Sequence, residues 1–190
     1  MQRKPSPPEP RQDTHQAPLP GWRPPAFHTA YTEHFDFVWR SLRLLGTPRG
    51  LLDDAAQDVF GVVYHRLDDF DGGAAFRTWL FAIARRVAAN YRRRESRRLS
   101  LPGVRLDAAP SAEPTPHAHL EASESAALVM EYCATLDEKG RALFVLALIE
   151  GVATPELVPV FSVPLNTLYS RIRALREGLG QFLEQSERAP

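Results

Sequence analysis

The chain has 190 residues, 44% of them hydrophobic, and carries 23 Lys and Arg against 23 Asp and Glu, a formal net charge of +0. That length holds one domain or two small ones. The single Cys133 excludes an internal disulfide and a cysteine-rich zinc site, and no run of about 18 apolar residues is available to span a membrane. Cys133 sits in an apolar helical pattern and reads as core. With a proline-rich start in place of a charged-then-apolar leader, the expectation is a soluble cytoplasmic protein.

Residues 1–25 hold eight prolines and little apolar clustering, so a disordered tail is expected there. A first folded unit spans 26–99. Phe27, Tyr31, Phe35, Val38, Trp39, Leu42 and Leu45 recur at helical spacing, and Gly46 and Pro48 stop that run. Leu52, Ala56, Val59, Phe60, Val63 and Leu67 mark a second helix, and Asp68–Ala74, with two glycines and three acids, reads as a loop. Phe76, Leu80, Ile83, Ala84, Val87 and Tyr91 mark a third, longer one. Residues 100–123, rich in proline, alanine and acids, read as a flexible linker.

A second unit spans 124–185. Leu128, Tyr132 and Leu136 begin a helix, and Asp137 is placed to cap the next, whose stripe is Leu143, Phe144, Ala147 and Leu148. A short segment from Thr154 to Phe161 and the turn Ser162-Val163-Pro164 lead to a long final helix. There Leu165, Leu168, Ile172, Leu175 and Leu179 are expected inward, with Asn166, Tyr169, Ser170 and Arg173 on the other side. Two helices joined by a tight turn, the second showing polar and basic residues outward, have the layout of a helix-turn-helix. Every strong apolar run has a period near 3.6, so the fold class is all-α: two small helical domains joined by a flexible linker.

Zero net charge conceals a local imbalance. Between Arg85 and Arg98 stand seven arginines and one acid, Glu95, a net of +6 (seven minus one). A helix C-terminus favours a few cations through its dipole, but seven exceed that need, and nucleic-acid contact is the better reading. No GxxxxGK[ST] stretch is present and the six histidines are scattered, so neither an enzyme nor a cofactor is expected.

DDAAQDVF (Asp53–Phe60), LDDFDG (Leu67–Gly72) and FRTWLFAIARRVAANYRRR, from Phe76 onward, together resemble conserved region 2 of the bacterial extracytoplasmic-function (ECF) sigma factors. LDEKGRALFVLALIEGV, followed by SVPLNTLYSRIRALREGL, resembles their region 4. The resemblance implies a promoter-specificity subunit that binds core RNA polymerase, recognises promoter DNA at two elements and helps open the duplex. An anti-sigma factor is a further partner by the same resemblance, and no membrane partner is implied. It places core polymerase on Asp53, Asp54, Gln57 and Asp58, with Val59 or Phe60 adding apolar contact at the edge. It places the −10 element on the loop at Asp71 and Gly72, on Phe76, Arg77 and Trp79, and on Arg85, Arg86, Asn90 and Arg93. Trp79 reads more readily as core than as a stacking platform. It places the −35 element on Asn166, Thr167, Tyr169, Ser170, Arg171, Arg173 and Arg176. A helix-turn-helix regulator acting without polymerase, and a helical adaptor for a regulatory protein, are the alternatives.

Three residues depart from that family pattern, Pro159, Ser162 and Val158, the last standing where a small residue is usual. Pro159 falls inside the first helix of the helix-turn-helix, where a proline removes one backbone hydrogen bond and crowds the carbonyl four residues back. A late start or a kink is expected there. Ser162 occupies the turn where the family often has glycine.

Overall fold

The computed structural model describes residues 25–72, 75–100 and 124–188. The expected tail and linker lie almost entirely outside the described residues. The described residues fold into helices alone: α1 (Phe27–Leu44), α2 (Leu52–Arg66), α3 (Phe76–Leu99), α4 (Glu124–Thr135), α5 (Glu138–Phe144), α6 (Thr154–Phe161) and α7 (Leu165–Arg188). A 3-10 turn, Arg49–Leu51, precedes α2, and a π-helical turn, Val145–Ile149, extends α5.

Helix ends follow local chemistry. α1 stops at Gly46, whose φ of 85° is one an L side chain rarely takes. The Gly46 N–H donates to the Arg43 carbonyl (2.9 Å) and the Thr47 N–H to the Leu42 carbonyl (3.1 Å), closing the last turn in a Schellman arrangement. The Asp137 carboxylate accepts from the Gly140 N–H at 2.7 Å and caps α5 as the sequence predicts.

α1, α2 and α3 pack on one another through the stripes read from the sequence. Val38, Leu42, Leu45, Ala56, Val59, Val63, Leu80 and Ala84 are all fully buried. Phe81 and Ala88, off the expected stripe of α3, are fully buried as well, so that helix is covered on more than one side. Each large apolar side chain so buried contributes about 1.5–3 kcal/mol. In the second unit Phe144, Leu146, Leu157 and Leu168 form the centre, and the Tyr132 hydroxyl on α4 donates to the Leu175 carbonyl on α7 at 2.8 Å. Leu165 departs from expectation: at the first position of α7 it is more than a third exposed, because the core begins one turn later at Leu168.

The two units are also packed against each other. One continuous apolar cluster runs from Phe37 in α1 to Ile172 in α7. α6 lies against α3. The Arg141 guanidinium donates to the Leu45 carbonyl across the seam (3.3 Å), and Arg92 of α3 donates to the same carbonyl and pairs with Glu138 at 3.4 Å. Gly46 admits this approach: a Cβ there would lie 2.6 Å from Arg141 Nη1.

Candidate nucleic-acid interface

α3 divides its arginines by their place around the helix. Arg86, Asn90, Arg93 and Arg97 recur every three or four residues and are exposed, so they form one stripe. Arg93 donates to the Asn90 side-chain oxygen, and Arg97 Nε donates to the Arg93 carbonyl at 3.2 Å. Arg98 is paired with Glu95 at 2.8 Å. Arg85 is half-buried and Arg94 stands over the Tyr91 ring. Arg92 points the other way, into the seam, where burial lowers its pKa from the ordinary guanidinium range. The stripe is therefore an exposed row of positive charge on a rigid helix, suited to a phosphate backbone.

At the start of α3 the rings of Phe70, Phe76 and Trp79 form one cluster, with Trp79 5.1 Å from Phe70 and 5.5 Å from Phe76. Trp79 is half-buried at the edge of the core, which favours the core reading over a free stacking platform. Buried Phe70 anchors the loop. Asp71 and Gly72 are half-buried, with Gly72 at φ 74°. Arg77 lies 4.5 Å over the Phe37 ring and pairs with Glu150 of the second unit at 2.6 Å.

On α2, Asp53, Asp54, Gln57, Asp58, Gly61 and His65 are exposed on one side. Two of these acids also hold the bundle together: Trp39 Nε1 donates to Asp53 at 3.0 Å, and the Tyr91 hydroxyl donates to Asp58 at 2.8 Å. Burial and that hydrogen bond push the Tyr91 pKa up to about 12. The expected apolar edge is corrected: Val59 and Phe60 are buried against α1 and α3, so they support this face from beneath. The exposed ring there is Tyr64, 65% exposed and edge-on to Phe27 at 5.3 Å.

α6 and α7 meet at Ser162, whose backbone is left-handed (φ 51°, ψ 44°), and the Ser162 N–H donates to the Val158 carbonyl at 2.9 Å. The expectation of a late start to the first helix is corrected. α6 runs unbroken from Thr154 with Pro159 inside it. Proline forfeits one hydrogen bond, toward the Pro155 carbonyl, while fully buried Leu157 and the packing of Phe161 hold the helix in place. On α7, Asn166, Tyr169, Ser170, Arg171, Arg173 and Arg176 are exposed, and Thr167 is half-buried. Arg173 pairs with Glu177 at 2.9 Å, but both side chains are well exposed, so the pair is weak and yields readily to a phosphate. Cys133 is buried, with a thiol pKa pushed up to about 11 by desolvation, as befits an inert core residue.

The sequence reading misses Arg40 and Glu150. Glu150 lies just past the π turn with its side chain only 2% exposed, and both Arg40 and Arg77 hold it. No local pattern marks these residues, because Glu150 is 110 positions from Arg40.

Comparison with known proteins places the chain in a family. The Sigma-70 region 2 family model matches residues 30–98, which span α1 to α3. The chain is 30% identical over 166 residues to the RNA polymerase sigma factor CnrH of Cupriavidus metallidurans, covering 84% of this chain and 87% of that protein. It is 29% identical over 140 residues to the ECF RNA polymerase sigma-E factor of Escherichia coli, covering 70% and 73%. The solved structure of CnrH in complex with the cytosolic domain of CnrY superposes with a TM-score of 0.61 at 28% identity, covering 84% of this chain and 88% of that one. The sigma factor RpoE of Bartonella quintana, solved with the anti-sigma factor NepR, shares the fold with a TM-score of 0.64 at 18% identity, covering 83% and 96%. With the arginine stripe, the acidic α2 face and the helix-turn-helix on one chain, and with a relative of this identity aligned along most of its length, the protein belongs to the ECF family of RNA polymerase sigma factors.

Proposed function

We propose that this chain binds core RNA polymerase through the exposed acids of α2 and directs it to promoters through α3 and α7. The observation that carries the assignment of surfaces is the row Arg86, Asn90, Arg93 and Arg97, exposed on a helix whose other side is core. A cationic row on a rigid support holds a single strand by its phosphates, and Asn90 adds an amide able to meet a base edge. The loop at Asp71 and Gly72 precedes α3 and would receive a base turned out of the stack. Unstacking costs a few kcal/mol, and capture of the base returns about 1–3 kcal/mol, so binding alone can favour the open strand without ATP. Asn166, Thr167, Tyr169 and Ser170 at the start of α7 would meet the major groove of the upstream element, with Arg171, Arg173 and Arg176 on phosphates. The protein acts by binding and not by catalysis. CnrH and RpoE were each solved with a protein partner, in the RpoE case an anti-sigma factor, which supports an inhibitory protein partner here too.

The test is transcription by purified core polymerase on genomic fragments, with start sites mapped. The expected result is initiation at a defined set of promoters that requires this chain. Replacing Arg86 and Arg93 together by Ala is expected to cut initiation by about tenfold or more, with core binding unchanged. Duplex binding without any polymerase-dependent start site would overturn the proposal.

A further inference from the structure

Where the chain enters α1, the first unit presents a group of rings that neither proposed DNA surface uses. Phe27 meets Tyr31 at 6.3 Å and Tyr64 of α2 edge-on at 5.3 Å, and Tyr31 meets buried Phe60 at 4.7 Å. The inner end of this ladder is core. Its outer end is open, with Tyr31 39% exposed and Tyr64 65% exposed. Gly61 stands one turn before Tyr64 and puts no side chain over the ring; a Cβ there would meet nothing within 4 Å. Large rings on the rim of a core, uncovered on one side, still have apolar area to bury.

We infer that the proline-rich segment ahead of α1, Pro18–Pro24, docks on this aromatic edge, with Trp22 and the prolines against Tyr64 and Tyr31. The inference goes beyond the proposed function and does not rest on it. Four observations carry it. Pro25 is half-buried and adjoins Ala26 and Phe27, so the segment begins at the edge itself. The Ala26 backbone (φ −58°, ψ 144°) is already near polyproline II. The sequence Pro18-Leu19-Pro20-Gly21-Trp22-Arg23-Pro24 has three prolines, which favour continuing that conformation at small entropic cost. Surfaces lined with aromatic rings are the ones on which such segments dock. Charge agrees as well. Residues 1–24 carry Arg3, Lys4, Arg11 and Arg23 against Glu9 and Asp13, a net of +2 (four minus two), while Asp54 and Asp68 are exposed on the Tyr64 side of α2. Reach is sufficient: at about 3.1 Å per residue Trp22 extends about 12 Å from Ala26, whereas Tyr31 lies only about 6 Å along the helix from Phe27. So short a tether supplies an effective concentration of about millimolar, enough to hold a weak contact closed.

The experiment uses the full chain with Trp22 as its own probe. Subtracting the spectrum of Trp22→Phe isolates the Trp22 emission from that of Trp39 and Trp79, and acrylamide quenching reads its shielding. Tyr64→Ala is expected to raise the quenching of Trp22 by at least about twofold, the effect of losing one aromatic contact. Tyr64→Phe keeps the ring and is expected to keep the shielding. Thermal melts of Trp22→Ala, Tyr64→Ala and the double variant read coupling. If Tyr64 only braces Phe27, the two losses add; if the segment docks, the double variant loses less than their sum. Equal quenching of Trp22 in wild type and Tyr64→Ala overturns the docking, as does strict additivity. Shielding that disappears on dilution, with dimers in sedimentation velocity, assigns the edge to a second copy and overturns the intramolecular contact. Shielding that arises only when core polymerase is added overturns it too. The proposed function is judged separately, by wild-type transcription with core polymerase.

Discussion

Ser162 has the one left-handed non-glycine backbone among the described residues, at the turn on which the geometry of the helix-turn-helix depends. A Cβ in that conformation costs roughly 1–2 kcal/mol, whereas glycine there costs about 0.5–1 kcal/mol in unfolded-chain entropy. The balance favours glycine. Ser162→Gly is expected to stabilise the chain by about 0.5–1 kcal/mol and to raise its melting temperature by about 1–4 °C. Ser162→Val, β-branched and worse in that region, is expected to lower it. Thermal melts followed by circular dichroism check both, and a drop on Ser162→Gly would show that the serine hydroxyl contributes more than the strain removes.

At the scale of one helix, α2 shows why an exposed acid is not always free to serve a partner. Asp58 accepts the Tyr91 hydroxyl and Asp53 accepts the Trp39 indole N–H, so changing either disturbs the bundle as well as any docking surface. Asp54 has an exposed position one turn before Asp58 and serves as the cleaner probe. Asp54→Lys is expected to weaken core polymerase binding by about tenfold through charge reversal at the contact, with the melting temperature unchanged. Asp58→Ala is expected to cost about 1 kcal/mol of stability by depriving Tyr91 of its acceptor. Titration of labelled core enzyme and parallel melts separate the two effects, and equal affinity for wild type and Asp54→Lys would remove α2 from the docking surface. The same helix marks how far sequence carries. Periodicity identified Leu52, Ala56, Val59, Phe60, Val63 and Leu67 as one buried stripe, and all six are buried. It could not say that Asp58 meets Tyr91, that Arg92 turns into the seam, or that Glu150 is buried between two arginines. A repeat of 3.6 residues records which side of a helix is covered, while the pairing of polar groups depends on packing between segments far apart in the chain. Pro159 misled for a related reason: a local penalty of a few kcal/mol is offset by burial of Leu157, which only the tertiary structure reveals.

For the molecule as a whole, zero net charge and DNA binding are compatible because charge is unevenly spread: α3 carries many arginines against the single acid Glu95, and the first half of α7 carries Arg171, Arg173 and Arg176 against Glu177. The row on α3 is proposed to hold a single strand, and the row on α7 a duplex. These differ in counterion density, so their salt dependences differ as well. Each phosphate neutralised on B-DNA contributes about 0.9 to the slope of log affinity against log salt, and each on a single strand about 0.7. In the complex with core polymerase on a forked promoter fragment, Arg171→Ala with Arg176→Ala is therefore expected to reduce the slope by about 1.8. Arg86→Ala with Arg97→Ala is expected to reduce it by about 1.4. Asn166→Ala, which removes an amide and no charge, is expected to leave the slope unchanged while relaxing sequence preference in the upstream element. A salt titration followed by fluorescence anisotropy measures all three. If the α3 pair left the slope untouched while the α7 pair lowered it, the exposed arginines of α3 would face solvent in the open complex, and strand capture would fall to the loop at Asp71 and Gly72 alone.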